Sequence, residues 1–169
     1  ITAGIQLNLT FTLGCFDMIE KLKAAAAAQE TKALVHLKVD TGMGRFGVFP
    51  AEIPELAKAA LATDRIEIDG IYSHFANIDD DPESPLNTVQ MERFTQAVTL
   101  LRRTGADPKW IHCSNSASAL SLPASRFNLV RAGNALIGVG PFYYAEFPEY
   151  LQRCLTWKTQ LVSVRKLPA

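Results

Sequence analysis

Four short runs bring residues capable of chemistry to matching places in this sequence. The first is Asp40-Thr41-Gly42-Met43-Gly44-Arg45-Phe46-Gly47, and the second is Ser73-His74-Phe75-Ala76. The third is His112-Cys113-Ser114-Asn115-Ser116, and the fourth is Val130-Arg131-Ala132-Gly133-Asn134. The glycines around Arg45 permit positive φ and close backbone approach, and the arginine fork suits a carboxylate or a phosphate. Ser114, Asn115 and Ser116 offer hydroxyl and amide donors, while Gly133 and Asn134 offer backbone N–H groups where a short helix could begin. Such a cup suits a phosphate, and Arg131 just before it would face whatever the phosphate carries.

Each run follows a strand-like segment. Strands are expected over 4–12, 33–40, 66–75 and 110–114, with a shorter one near 128–131. The segments 33–40 and 66–75 are rich in β-branched residues and partly alternate. Between them, 16–30 reads as a helix with five consecutive alanines, and 51–63 places Ile53, Leu56, Ala57 and Ala60 on one face. The span 88–104 carries the stripe Phe94, Val98 and Leu101, with Asn87 as the expected cap, Gln90 as its capping-box partner and Gly105 as the stop. Alternating strands and helices imply a parallel sheet with right-handed crossovers, either open or an arc of a β/α barrel. In a barrel the four runs would share the strand C-terminal ends, where active sites gather.

Composition narrows the options. Among 169 residues, 17 Lys and Arg balance 17 Asp and Glu, so a nucleic-acid-coating protein held by bulk charge is excluded. No apolar run approaches the roughly 20 residues of a membrane span, and no signal-type start is present. The three cysteines lack zinc-type spacing. A cytoplasmic home is therefore expected, without nucleic acid, membrane or metal. The chain begins at Ile1 and ends at Ala169 beside the strand-like Leu161-Val162-Ser163-Val164, so it reads as a piece of a longer protein.

The runs in their order resemble one known family. Leu37 to Gly47, Tyr72 to Ala76, Ile111-His112 with Ser114 to Ala117, and Val130 to Gly138 are similar to four signatures of the alanine racemases. That resemblance implies a pyridoxal 5'-phosphate enzyme with an N-terminal (β/α)8 TIM-type barrel and a C-terminal β-domain, working as a homodimer. This chain would then cover about strands 4 to 8 over 1–150, with a linker and first C-terminal strand over 151–169. The implied reaction interconverts L- and D-alanine and supplies D-alanine for peptidoglycan. Serine or a broader set of amino acids is the nearest alternative.

The resemblance also implies roles. Arg45 would face the substrate carboxylate and the cofactor's phenolic oxygen, steadied by Lys38 as a possible carbamylated lysine. His74 would lie under the cofactor ring and hydrogen-bond Arg131, which would donate to the ring nitrogen without releasing its proton. An unprotonated ring is the weaker electron sink, which favours quick return of a proton to Cα. Asn115, Ser116, Gly133 and Asn134 would hold the phosphate. Neither the family's Schiff-base lysine motif nor its C-terminal catalytic tyrosine is found in these 169 residues. Ala132, Asn134 and Ile137 depart from the usual pattern.

Two rivals come from other classes: a non-catalytic cofactor-binding fragment, and a metal-dependent barrel hydrolase using Lys38, His36, His74 and His112. Plainer readings apply elsewhere. Lys38 could pair with Asp40 or Glu67, His36 and His112 could serve packing or supporting hydrogen bonds, Asp79-Asp80-Asp81 could be a solvated turn, and Tyr143 and Tyr144 could be packing aromatics.

Overall fold

The computed structural model describes residues 1–140, 152 and 154–166. Among them four strands form one parallel sheet in chain order: β1 (Phe11–Leu13), β2 (Ala33–Lys38), β3 (Ile66–Tyr72) and β4 (Trp110–His112). Each step to the next strand passes through a helix: α2 (Asp17–Ala27), α3 (Ile53–Leu61) and α4 (Pro85–Arg102). A short α1 (Thr2–Gln6) precedes the sheet, and α5 (Ser116–Ser121) follows it. The unbroken order 1-2-3-4 is that of a barrel arc, because an open doubly wound sheet reverses direction at a switch point.

The two faces of the sheet have opposite chemistry. Strand residues alternate in direction, and the register puts Leu13, Leu37 and Ile71 in one row, with Ile71 paired to Ile111. These residues are buried with Leu22, Leu56, Phe94 and Leu101 of the covering helices. The opposite face carries Thr12, His36, Lys38, Tyr72 and His112 in adjacent register positions. Between β2 and β3 the register slips after Val35, so that Val35 faces Ile68 but His36 faces Gly70. Asp69 is the extra residue of this bulge.

Several expectations need correcting. The strand foreseen over 4–12 is mostly absent: Thr2–Gln6 is helical, and Asn8, at φ 53°, turns the chain before the brief β1. No strand forms at 128–131. There the Asn128 side chain does the pairing, accepting from Ile111 N–H at 2.8 Å and donating to Lys109 O at 2.7 Å. Helix α4 starts at Pro85 behind Ser84, with proline in the first turn. Asn87 therefore lies inside it, and its Nδ2 bonds the carbonyls of Asp81 and Pro82 instead of capping. Gly105, at φ +90°, does end that segment. The run 161–164 is in no strand, and Leu161, Val162 and Val164 are exposed. The 150/151 boundary, Tyr143 and Tyr144 lie outside the described residues.

Candidate functional site

Beyond β2 the chain folds over its own strand end. Gly47, at φ +113°, lets Val48 N–H bond Lys38 O at 3.1 Å, and an added Cβ there would stand 2.8 Å from that carbonyl. The loop so closed is held by Asp40, whose Oδ1 accepts from Gly42 N–H at 2.9 Å and Gly44 N–H at 3.1 Å. Burial alone would raise that carboxyl's pKa. The two N–H groups and nearby Lys38 win, and hold it below the ordinary aspartate value.

Lys38 is 1% exposed, and its Nζ donates to Val39 O at 2.7 Å. Neither acid foreseen as its partner forms an ion pair with it; Glu67 meets Lys32 instead, at 3.8 Å. Burial lowers the Lys38 pKa to about 8, with Arg45 and Arg131 pushing the same way and Asp40 opposing. Arg45 itself is exposed, and no hydrogen bond from its guanidinium is present among the described residues.

Past β3 and β4 the arrangement is dense. Arg131 donates from Nη1 to His112 Nδ1 and from Nη2 to Ser73 O, at 2.9 Å for the latter. Nη2 also reaches His74 Nδ1 at 3.2 Å and Cys113 O at 3.5 Å. The guanidinium sits 5.3 Å from the Tyr72 ring centroid, and Tyr72 stacks on His112 at 5.0 Å with planes 8° apart. Arginine has only donors, so both histidines present a bare Nδ1 to it. Burial first, then Arg131, lowers the pKa of His74, and the same causes with His36 bring His112 to about 3. Both rings are therefore neutral near pH 7.

Next to them lie the residues foreseen as phosphate holders. Ser116 Oγ accepts from Gly133 N–H at 2.9 Å and from Ala135 N–H at 3.2 Å, which ties the turn after β4 to the segment behind Arg131 and leaves the hydroxyl hydrogen to give. A Cβ built on Gly133 meets nothing within 4 Å. Asn134 opens the 3-10 turn Asn134–Ile137 and is exposed. Asn115 is occupied differently from the sequence reading: it caps α5 by accepting from Ser118 N–H at 3.0 Å, while its Nδ2 donates to Asp79 at 2.8 Å.

The sequence reading gave Gln90 only a capping role, which it does not play. It is 2% exposed and points inward from α4, donating to Thr41 Oγ1 at 3.0 Å and His74 O at 3.1 Å. Its Oε1 accepts from Ala76 N–H at 2.9 Å, so one amide ties the loops after β2 and β3 together. Its place four residues before Phe94 was the available signal, since that spacing puts Gln90 on the buried stripe of α4. Tyr72, also passed over, donates to or accepts from Thr12 at 2.8 Å.

For a pyridoxal-phosphate-type group the residues present fit. A ring nitrogen needs one donor, and Arg131 has N–H groups beyond those bonded here. A phosphate needs several converging donors; the Ser116 hydroxyl and the Gly133 and Ala135 N–H groups, now bonded to one another, gather at one place beside the open space at Gly133, where an anion would exchange into their hydrogen bonds. The metal reading gains nothing from the geometry. His36 Nδ1 and His112 Nε2 lie 2.9 Å apart in a hydrogen bond, and among the described residues no set of three His, Cys, Asp or Glu converges. Nor is any described helix long and apolar enough to cross a membrane.

Comparison with known proteins points one way. Residues 1–141 match the family described as alanine racemase, N-terminal domain. The alanine racemase of Symbiobacterium thermophilum is 39% identical over 137 residues, covering 81% of this chain and 36% of that protein. That of Thermobifida fusca is 34% identical over 170 residues, covering 99% of this chain and 45% of its own length. The chain thus spans less than half the length of these relatives. Among solved structures, the alanine racemase of Bacillus anthracis with bound L-Ala-P superposes with TM-score 0.81 at 26% identity, over 90% of this chain and 40% of that one. That of Streptomyces lavendulae gives 0.79 at 34% identity, over 83% and 37%.

Proposed function

The chain belongs to the alanine racemase family, and from that premise we propose that it forms the cofactor-facing wall of a pyridoxal-phosphate-dependent amino-acid racemase. The observation that carries this reading is the Arg131 cluster. A guanidinium is fixed by His112, His74 and Ser73 at the strand ends, beside the donors of Ser116 and Gly133.

Ser116 and the backbone at Gly133 and Asn134 hold the cofactor's phosphate, with Asn115 shaping the turn that presents Ser116. Arg131 offers the ring nitrogen a hydrogen bond without giving up its proton, and neutral His74 lies against the ring. The bound cofactor supplies a ring that withdraws electron density from the amino acid's Cα. Arg45, unbonded within the described chain, takes the substrate carboxylate. Lys38 supports Arg45. With a pKa of about 8 roughly a tenth is uncharged amine at pH 7, far more than for an ordinary lysine; that is the form that adds carbon dioxide, and a carbamate there would attract Arg45.

The substrate assigned is alanine, interconverted between its L and D forms, with D-alanine going to peptidoglycan. In the whole protein this chain supplies an arc of the barrel within 1–150, to which β1 to β4 belong, and 151–169 leads into a C-terminal β-domain. The enzyme is a cytoplasmic homodimer, and the proton-moving lysine and tyrosine come from sequence other than these 169 residues.

Racemisation tests the reading. A full-length protein carrying this sequence, given pyridoxal phosphate and L-alanine in deuterated water, is expected to release D-alanine deuterated at Cα. Exchange with serine but not alanine would favour the serine alternative, and no exchange with any amino acid would leave only a binding fragment.

A further inference from the structure

The hydrogen bonds that hold Arg131 do not stop at His112. His112 Nε2 lies 2.9 Å from His36 Nδ1, and His36 Nε2 lies 3.4 Å from Asp69 Oδ2. The chain thus runs from Arg131 through two imidazoles to a carboxylate, across β4, β2 and β3. Its two ends dictate its direction. A guanidinium has only hydrogens to give and a carboxylate only lone pairs, so each neutral imidazole must carry its proton on Nε2 and accept on Nδ1. With either ring in the other tautomer, two N–H groups or two lone pairs would face each other.

Local structure is arranged around this path. The bulge after Val35 shifts Asp69 out of register and places Gly70 opposite His36. Gly70 is needed there, because an added Cβ would come within 2.6 Å of the His36 ring. Tyr72 covers the His112 ring at 5.0 Å. His36 and Asp69 keep side-chain exposures of only 16% and 20%, so water competes weakly for the contact.

We propose that Asp69 and His36 are positioning residues that hold His112 from its Nε2 side, reinforcing the tautomer Arg131 requires, and thereby keep Arg131 in place. This inference rests on the reading of Arg131 as the ring-nitrogen partner. The arrangement also solves an electrostatic problem. A carboxylate placed directly on Arg131 would cancel much of its field, whereas two neutral rings deliver a well-oriented acceptor and keep the anion distant. Arg131 then meets its ligand with its charge largely uncompensated.

The test is the protonation pattern of the imidazole nitrogens, read by 15N NMR on the full-length protein carrying this sequence, in its cofactor-free form. The wild type is expected to show His112 and His36 as Nε2–H tautomers at neutral pH, with a coupling across the Nε2–H···Nδ1 bond. In Asp69→Leu the His36 and His112 nitrogens should shift part of the way toward averaged positions, since Arg131 then biases the chain from one end only. Asp69→Asn, whose oxygen still accepts, should restore the wild-type pattern. A proton on Nδ1 of either ring in the wild type would overturn the proposal, as would an unmoved His112 in a folded Asp69→Leu. If the leucine variant does not fold, the wild-type tautomers decide. No cofactor enters the measurement, so its outcome is independent of whether Arg131 meets a pyridine nitrogen.

Discussion

The two arginines of this wall are held in contrasting ways. Arg131 donates to His112, His74 and Ser73 and stands over Tyr72, each contact coming from a different position on β3, β4 or the loops behind them. Arg45 rides a glycine-rich loop, exposed, with the adjacent Phe46 ring 5.6 Å from its guanidinium. One cation is locked by the fold before any ligand arrives, and the other awaits an anion. A rigid group suits a cofactor that stays, and a less constrained one suits a substrate that must enter and leave. The difference also separates the two residues experimentally, because only the first should matter to folding.

Breaking the locked side should have the largest effect. Arg131→Leu strips donors from His112, His74 and the Ser73 carbonyl. With buried acceptors costing about 1–3 kcal/mol each when left unmade, urea unfolding should register a loss of roughly 3 kcal/mol. Arg131→Lys should recover only part of it, since an ammonium lacks the planar fork. Unchanged unfolding in the leucine variant would mean that the cluster is not a support.

Gly70→Ala comes next. Its methyl would push the His36 ring away from His112, and overpacking of this kind costs about 1–3 kcal/mol. His36→Ala in the same chain should relieve the clash, so the two changes together should cost less than their sum.

Acid sharpens the contrast further. The His112 pKa falls from an ordinary 6.5 to about 3 in the folded chain, and those of His36 and His74 fall too, in each case chiefly through burial. Between those values the unfolded chain binds protons that the folded chain refuses. Stability should therefore decline as pH drops from about 6.5 toward 3, with His112 alone giving a slope of at most about 1.4 kcal/mol per pH unit. His112→Gln should flatten that decline; an equally steep decline in the variant would contradict the assignment.

The smallest effect on stability belongs to Arg45→Ala, expected within about 0.5 kcal/mol of wild type. In the full-length protein its effect on Cα-proton exchange should be on the order of a hundredfold, through a mispositioned substrate. That pairing of a silent unfolding curve with a large catalytic loss separates it from Arg131→Leu, which should lose both stability and activity.

Much of this was readable from residue types and order. Glycines flanking Arg45, and the placement of His74 and Ser116 after β-branched runs, already located strand ends and a common rim. Local pattern failed where a side chain replaced backbone. Asn128 pairs with Ile111 through its amide, so the expected strand at 128–131 does not form. It failed again where polar strand residues found one another across the sheet. His36 and Asp69 lie 33 positions apart and meet only because a bulge shifts the register. Nothing in either segment alone signals that slip. Gln90 was legible as a polar residue on a helix, but whether it capped or reached inward depended on a helix start three residues earlier than Thr88.

The central claim is that Arg131, His74, Ser116, Gly133 and Asn134 form a ready-made pocket wall for a phosphorylated pyridine. The most direct measurement is titration of this chain with 4-deoxypyridoxine 5'-phosphate, which lacks the aldehyde and so cannot attach to stray lysines, followed by backbone and imidazole NMR. The account predicts saturable shifts centred on those five residues, abolished at the ring side by Arg131→Leu and only partly reproduced by inorganic phosphate. Shifts that do not saturate, or that saturate elsewhere on the chain, would contradict it.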